Sequence, residues 1–346
     1  MNSWTQLIEA SGLTSEQADS VKKQVAAVAE KPHDPVWLKV LAAVAGWVAC
    51  LFLTPFFFLF DLNDSLLALG IFGVLLLALG IVLIRSNKVL FVQHLALAFS
   101  LLGTGMMVLA FADWLHGFNS MRLLLVQALV AAIAYPLVPN AAYRFLVSVN
   151  TAFLVVCGLL DSHYAWMSAW LAFLSFATGI LWIWRSRPVA LNALAYACAF
   201  SLAGTVLFDL LVDQFRWWTV ATVPAQWAAI PLAAVSIAVI ASFTGGVESL
   251  RKPWMWGACL PAAAVGGAGE TGILIALLLM VISFAWDDRL MAVFSYLFLA
   301  GFLFLYYYSL EVPLVAKSWI VGGSGLLLLV LRWVLTRLEK KGSVPP

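Results

Sequence analysis

The feature that most constrains this chain is a succession of uninterrupted apolar runs, each about as long as a bilayer is thick. One of them, Val74-Leu75-Leu76-Leu77-Ala78-Leu79, contains no polar residue and no alternation. A membrane β-barrel strand alternates apolar and polar positions, so these runs are read as helices. A helix needs roughly 20 apolar residues to cross the hydrocarbon core. The residues are 64% hydrophobic and 10% charged, with a mean hydropathy of +1.00. Soluble domains are near half apolar and a quarter charged, so composition excludes a water-soluble core. The expected fold is all-α: a polytopic helical membrane protein of about twelve transmembrane helices with both termini cytoplasmic. The spans fall near residues 37–60, 66–84, 90–112, 122–138, 144–160, 164–184, 189–212, 224–243, 254–267, 271–286, 290–309 and 314–336.

The loops give an independent check. Even-numbered loops carry Arg85 and Lys88, Arg144, Arg185 and Arg187, Arg251 and Lys252, and Arg289. With both termini on that side, 16 of the 19 Lys and Arg residues share one face, and only Arg122, Arg216 and Lys317 fall on the other. Short loops are where basic residues report orientation best, which makes the basic face cytoplasmic. Trp37, Trp182, Trp184, Trp254, Trp286 and Trp333 stand at the inner edge, and Trp114, Trp166, Trp217, Trp218 and Trp319 at the outer, as an aromatic belt does. Trp47, Trp170 and Trp227 lie deeper and are expected to pack between helices.

Three regions follow: residues 1–36 as a cytoplasmic helical hairpin, 37–338 as the transmembrane domain and 339–346 as a cytoplasmic tail. In the first, Thr14-Ser15-Glu16-Gln17 is a capping-box pattern, and Ala18, Val21, Val25 and Val28 share one helical face. This segment reads as a cap lying on the membrane, or as a surface that docks a partner.

Polar residues inside so apolar a chain are the candidates for function. Asp209, Asp213 and Arg216 stand at i, i+4 and i+7 of one helix face. Two carboxylates a turn apart raise each other's pKa and suit a proton or cation site, while Arg216 could neutralise them into a structural cluster. Glu270 ends a glycine-rich stretch, Gly266-Gly267-Ala268-Gly269, which reads as a tight turn or as the break of a re-entrant pair. In the last hairpin Glu311 precedes Pro313, Lys317 lies about a turn into the final helix, and Ser318 begins a small-residue face with Gly322. Glu311, Lys317 and Ser318 form a candidate polar or partner site. The acids Asp61, Asp64, Asp113, Asp161, Asp209, Asp213, Glu270 and Glu311 all fall on the outer side, as a plain rim or as a cation-attracting vestibule.

Other chemistries lack support. Cys50, Cys157, Cys198 and Cys259 sit in apolar runs without CxxC spacing, so neither disulfides nor metal ligands are expected. His94, His116 and His163 show no metal-ligand spacing. No phosphate-binding glycine loop or nucleophile elbow occurs, so no cofactor is expected and enzyme is the least favoured class. A net charge of +2 without a basic aromatic patch argues against nucleic acid.

The stretch Tyr306-Tyr307-Tyr308-Ser309-Leu310-Glu311-Val312-Pro313-Leu314-Val315-Ala316-Lys317-Ser318, with 323–332 and the Asp287-Asp288-Arg289-Leu290 loop, resembles an uncharacterised bacterial inner-membrane family, domain of unknown function 4401. The Gly12-Leu13-Thr14-Ser15-Glu16-Gln17-Ala18 segment is similar to the lead of a related family, domain of unknown function 2157. The resemblance implies a polytopic protein, commonly encoded beside a small membrane-anchored partner with a GDYxxLxY motif. It brings no catalytic residue and no substrate. The expected function is therefore the membrane subunit of a small complex. The alternatives are a secondary transporter or channel, and a structural envelope protein without a site. A major-facilitator fold is disfavoured, since only residues 185–188 follow the sixth span.

Overall fold

The computed structural model describes residues 65–86, 89–114, 120–162, 166–184, 187–215, 226–244 and 271–309, together with Ser20, Leu41, Val44, Ala45 and Val48. These residues form helices α1 (Leu66–Ser86), α2 (Leu90–Trp114), α3 (Ser120–Leu137), α4 (Ala141–Ser162), α5 (Met167–Ile183), α6 (Val189–Phe215), α7 (Gln226–Phe243), α8 (Thr271–Trp286) and α9 (Arg289–Ser309). Each coincides with one expected span. The expected spans 254–267 and 314–336, most of 37–60, the hairpin 1–36 apart from Ser20, and the tail 339–346 lie outside the described residues.

Five of the helices, over Leu66–Ser86, Leu90–Ala112, Ala141–Leu159, Val189–Leu211 and Arg289–Tyr307, are long and apolar enough to cross a membrane. The chain is a membrane protein on that ground. The span expected over 271–286 is as short as its bounds imply, since α8 has 16 residues, and α5, expected over 164–184, has only 17. At 1.5 Å per residue, α8 extends about 24 Å, short of a hydrocarbon core of ~30 Å. Its environment explains the tolerance. Leu274, Ile275, Leu278, Leu279 and Ile282 of α8 are almost wholly buried. A helix that meets protein along its sides has less need to match the lipid around it.

The helix ends are set by local chemistry. Ser65 accepts from the Ala68 N–H (3.4 Å) at the start of α1, and Asn140 Oδ1 accepts from the Tyr143 N–H (3.1 Å) at the start of α4. Pro139 and Pro188 stand just before α4 and α6, where a missing N–H does no harm. Pro136 lies inside α3 close to its end.

Two packing modes build the bundle. α1 and α2 are antiparallel and meet backbone to backbone. A Cβ at Gly73 would lie 2.9 Å from the Gly103 carbonyl oxygen, one at Gly103 would lie 2.6 Å from that of Gly73, and one at Gly80 would lie 2.8 Å from that of Ala96. Small residues permit such approach, which is how helices associate where the surroundings are as apolar as the contact.

The other mode uses large side chains. The main core is shared by α5, α6, α7, α8 and α9. Along α9, Phe294, Phe298, Phe302 and Tyr306 recur every fourth residue and stack in a ladder with centroids 6.5, 6.1 and 5.6 Å apart. Phe200 of α6 stacks on its lower rung (3.6 Å). Gly272 of α8 lies against Phe302, whose ring a Cβ there would strike. That gives one glycine of the 266–272 stretch a packing role; residues 266–270 lie outside the described residues. α4 and α6 run parallel, since eight residues along α4, from Phe145 to Phe153, match eight along α6, from Phe200 to Phe208.

Candidate functional site at the arginine-rich helix ends

The ends of α1, α3, α5 and α8 and the starts of α4, α6 and α9 come together at one end of the bundle, tied by hydrogen bonds between their loops. The arginines that the sequence offered as markers of orientation have a second role here. The last carbonyls of a helix have no partner within it and carry its negative dipole end. Arg85 donates to Leu137 O (3.2 Å), Arg144 Nε to Tyr135 O (2.9 Å) and Arg187 Nη1 to Leu181 O (2.5 Å). Arg85 and Arg144 thus close the end of α3, and Arg187 the end of α5.

Arg187 is the centre of the most elaborate cluster. Its guanidinium lies 4.4 Å from the ring centroid of Trp182 and 4.7 Å from that of Trp286. Its Nε donates to Asn192 Oδ1 at 2.6 Å. Both indoles are fixed in turn: Trp286 Nε1 donates to Trp182 O (3.1 Å) and Trp182 Nε1 to Ala195 O (3.3 Å). Trp182 is 1% exposed. It is therefore not the interfacial belt residue its position suggested, because Ala195 of α6 takes its N–H and Trp286 of α8 packs on its ring within the main core. Burial pulls the Arg187 pKa below the usual guanidinium value, with Tyr196 and Asp288 opposing that pull. A guanidinium remains charged under such a shift, and the flanking π faces suit a partly desolvated cation.

Asp288 is the second hub, and it joins three helices. Its N–H donates to Ser283 O (2.9 Å), and the Asp287 N–H to Phe284 O (3.3 Å), which closes α8. Asp287 takes the left-handed conformation that this closure needs, with φ 50°. Asp288 Oδ1 then accepts from the Met291 N–H (3.1 Å) and caps α9. Its Oδ2 accepts from the Tyr196 hydroxyl of α6. Trp182 stands edge-on to Tyr196 at 5.2 Å, so the arginine and aspartate clusters are continuous.

Beside this cluster is a cleft of about 350 Å³ between the starts of α4 and α9 and the first three turns of α6. Its walls include Ala141, Phe145, Asn192, Tyr196, Phe200 and Leu290. The arrangement is a clasp: hydrogen bonds, ring faces and caps lock the α5–α6 turn to the α8–α9 turn. Among the described residues, no three His, Cys, Asp or Glu side chains could hold a metal ion.

The residues singled out from sequence fall elsewhere. Asp209 is half-buried on α6 toward the opposite end, and Asp213 follows it in the last turn of the same helix. Arg216, Glu270, Glu311, Lys317 and Ser318 lie outside the described residues, as do Cys50 and Cys259. Cys157 and Cys198 are free thiols, half-buried in α4 and α6. The clasp itself was missed. The Asp287-Asp288-Arg289 loop, Trp182 and Arg187 were each noted separately, but nothing in a single sequence says that positions a hundred residues apart share a contact.

No curated protein and no solved structure matches the chain. Residues 35–338 match the family described as Domain of unknown function (DUF4401). That match covers most of the chain, and the protein belongs to this family.

Proposed function

We propose that the chain is a non-enzymatic membrane subunit of a small complex, embedded in a bacterial inner membrane with both ends in the cytoplasm. The observation that carries this reading is how the described polar groups are used. Buried hydroxyls are mostly committed to neighbours: Ser100 to Ala96 O, Thr104 to Ser100 O and Tyr143, Thr205 to Ser201 O, and Ser236 to Leu232 O. Arg85, Arg144 and Arg187 close helix ends. Such a bundle suits a scaffold that presents surfaces better than a conduit that hydrates its interior. Its partner would meet the acidic outer rim and the last hairpin, around Glu311, Lys317 and Ser318. A small membrane-anchored protein fits that place. Affinity purification in mild detergent should recover one small protein in fixed ratio, and Glu311→Gln with Lys317→Gln should lose it. Isolation of the chain alone under all mild conditions would sink the proposal.

A second reading, a proton- or cation-coupled transporter, is favoured by one observation, a half-buried carboxylate on a membrane helix at Asp209. Asp213, Arg216 and Glu270 would complete its site. Flux into proteoliposomes that Asp213→Asn abolishes would support it, and no flux under any ion gradient would remove it.

A further inference from the structure

Among the described residues, Asn150 is an exposed polar side chain far from either end of its helix. Asn150 is the tenth residue of α4, about 14 Å along the helix from its start and near the middle of a core of ~30 Å. It is exposed, as is Phe153 one turn on, at 48%. A carboxamide left without hydrogen bonds in hydrocarbon costs several kcal/mol. A second observation lies beside it. A groove of about 280 Å³ runs between α4 and α6, walled by Ala152, Phe153, Ser201, Gly204, Thr205 and Phe208 among others. Ser201 is 8% exposed, and its hydroxyl has no hydrogen-bond partner. A Cβ on Gly204 would meet nothing within 4 Å, so a neighbouring helix has room to approach closely. The constant offset between α4 and α6 puts Asn150 level with Thr205, at the same depth as this opening.

We propose that the α4/α6 face is the contact surface of a homodimer in which Asn150 bonds the partner's Asn150 across a two-fold axis normal to the membrane. The depth argues for a second copy. A two-fold along that axis brings each residue to its own level in the other chain, so the two amides meet without further adjustment. Asparagine both donates and accepts, which makes the pair self-complementary, as a two-fold contact requires. Among the described residues no charged side chain lines the groove, so none of them calls for a charged partner.

The test uses the full-length protein in native membranes, with Cys50, Cys157, Cys198 and Cys259 replaced by alanine. Mild oxidation of Asn150→Cys should give a reducible species of twice the mass, and Leu129→Cys, exposed on α3, should not. In lipid bilayers Asn150→Leu should weaken the dimer about tenfold, with Asn150→Gln recovering part of that. Asn150→Leu places an apolar group in lipid, so the fold is not at risk from it. An uncross-linked chain that is correctly inserted overturns the proposal. So does cross-linking of Asn150→Cys to a cysteine placed within residues 37–60 or 314–336 of the same chain, or a dimer indifferent to Asn150→Leu.

Discussion

The α1–α2 pair and the junction of α5–α6 with α8–α9 solve the same problem by opposite means. In the first, the contact is made where side chains are absent, with Gly73, Gly80 and Gly103 set against carbonyl oxygens. In the second it is made by the largest side chains available, Trp182, Trp286, Arg187 and Tyr196. Lipid supplies no hydrophobic drive toward association, so each region must gain through packing or polar bonds. The first gains from closeness and has no tolerance for added atoms. The second gains from specific groups and has no tolerance for their loss.

That contrast can be broken by experiment. Gly103→Leu should have the largest effect, separating α1 from α2 and lowering stability by about 3 kcal/mol in SDS titrations followed by helical circular dichroism. If the bundle accepts leucine there unchanged, backbone contact is not what joins the pair. Arg187→Ala should lower stability by about 2–3 kcal/mol, from two ring contacts and two hydrogen bonds. Arg187→Lys should restore less than half, because an ammonium lacks the planar fork; full rescue would mean that charge alone matters. Gly272→Ala tests the two modes together, since it adds one atom to a contact with an aromatic ring. A loss of about 1–2 kcal/mol is expected, below that of Gly103→Leu because a ring can shift where a backbone cannot. Tyr196→Phe should cost about 1 kcal/mol and leave the caps of α8 and α9 in place. The smallest change has the opposite sign: Asp287→Gly should stabilise by about 0.5–1 kcal/mol, because glycine accepts a positive φ without strain.

How far the sequence could be read follows from what each signal depends on. Helix positions depend on runs of apolar residues, which are local, and α1 through α9 lie where those runs predicted. Helix ends were less legible. Arg85, Arg144 and Arg187 were read through the charge of a face, which says nothing of the carbonyl each one meets. Trp182 was placed at the right height but with the wrong surroundings, since burial depends on a neighbour supplied by another loop. Asn150 and Gly103 attracted no notice because their meaning lies in what faces them across a helix pair. Of the acids on the outer side, Asp61, Asp64, Glu270 and Glu311 lie outside the described residues and Asp113, Asp161 and Asp213 are placed only as helix-end positions, so Asp209 alone has side-chain burial to compare with expectation.

The equal stride of α4 and α6 has a mechanical consequence. Phe145 rests against Phe200 and Phe153 against Phe208. Sliding either helix along the other would unseat both ring pairs at once. Shear is therefore closed to this part of the protein, and any motion it makes must carry the two rods together, as a tilting panel rather than a piston.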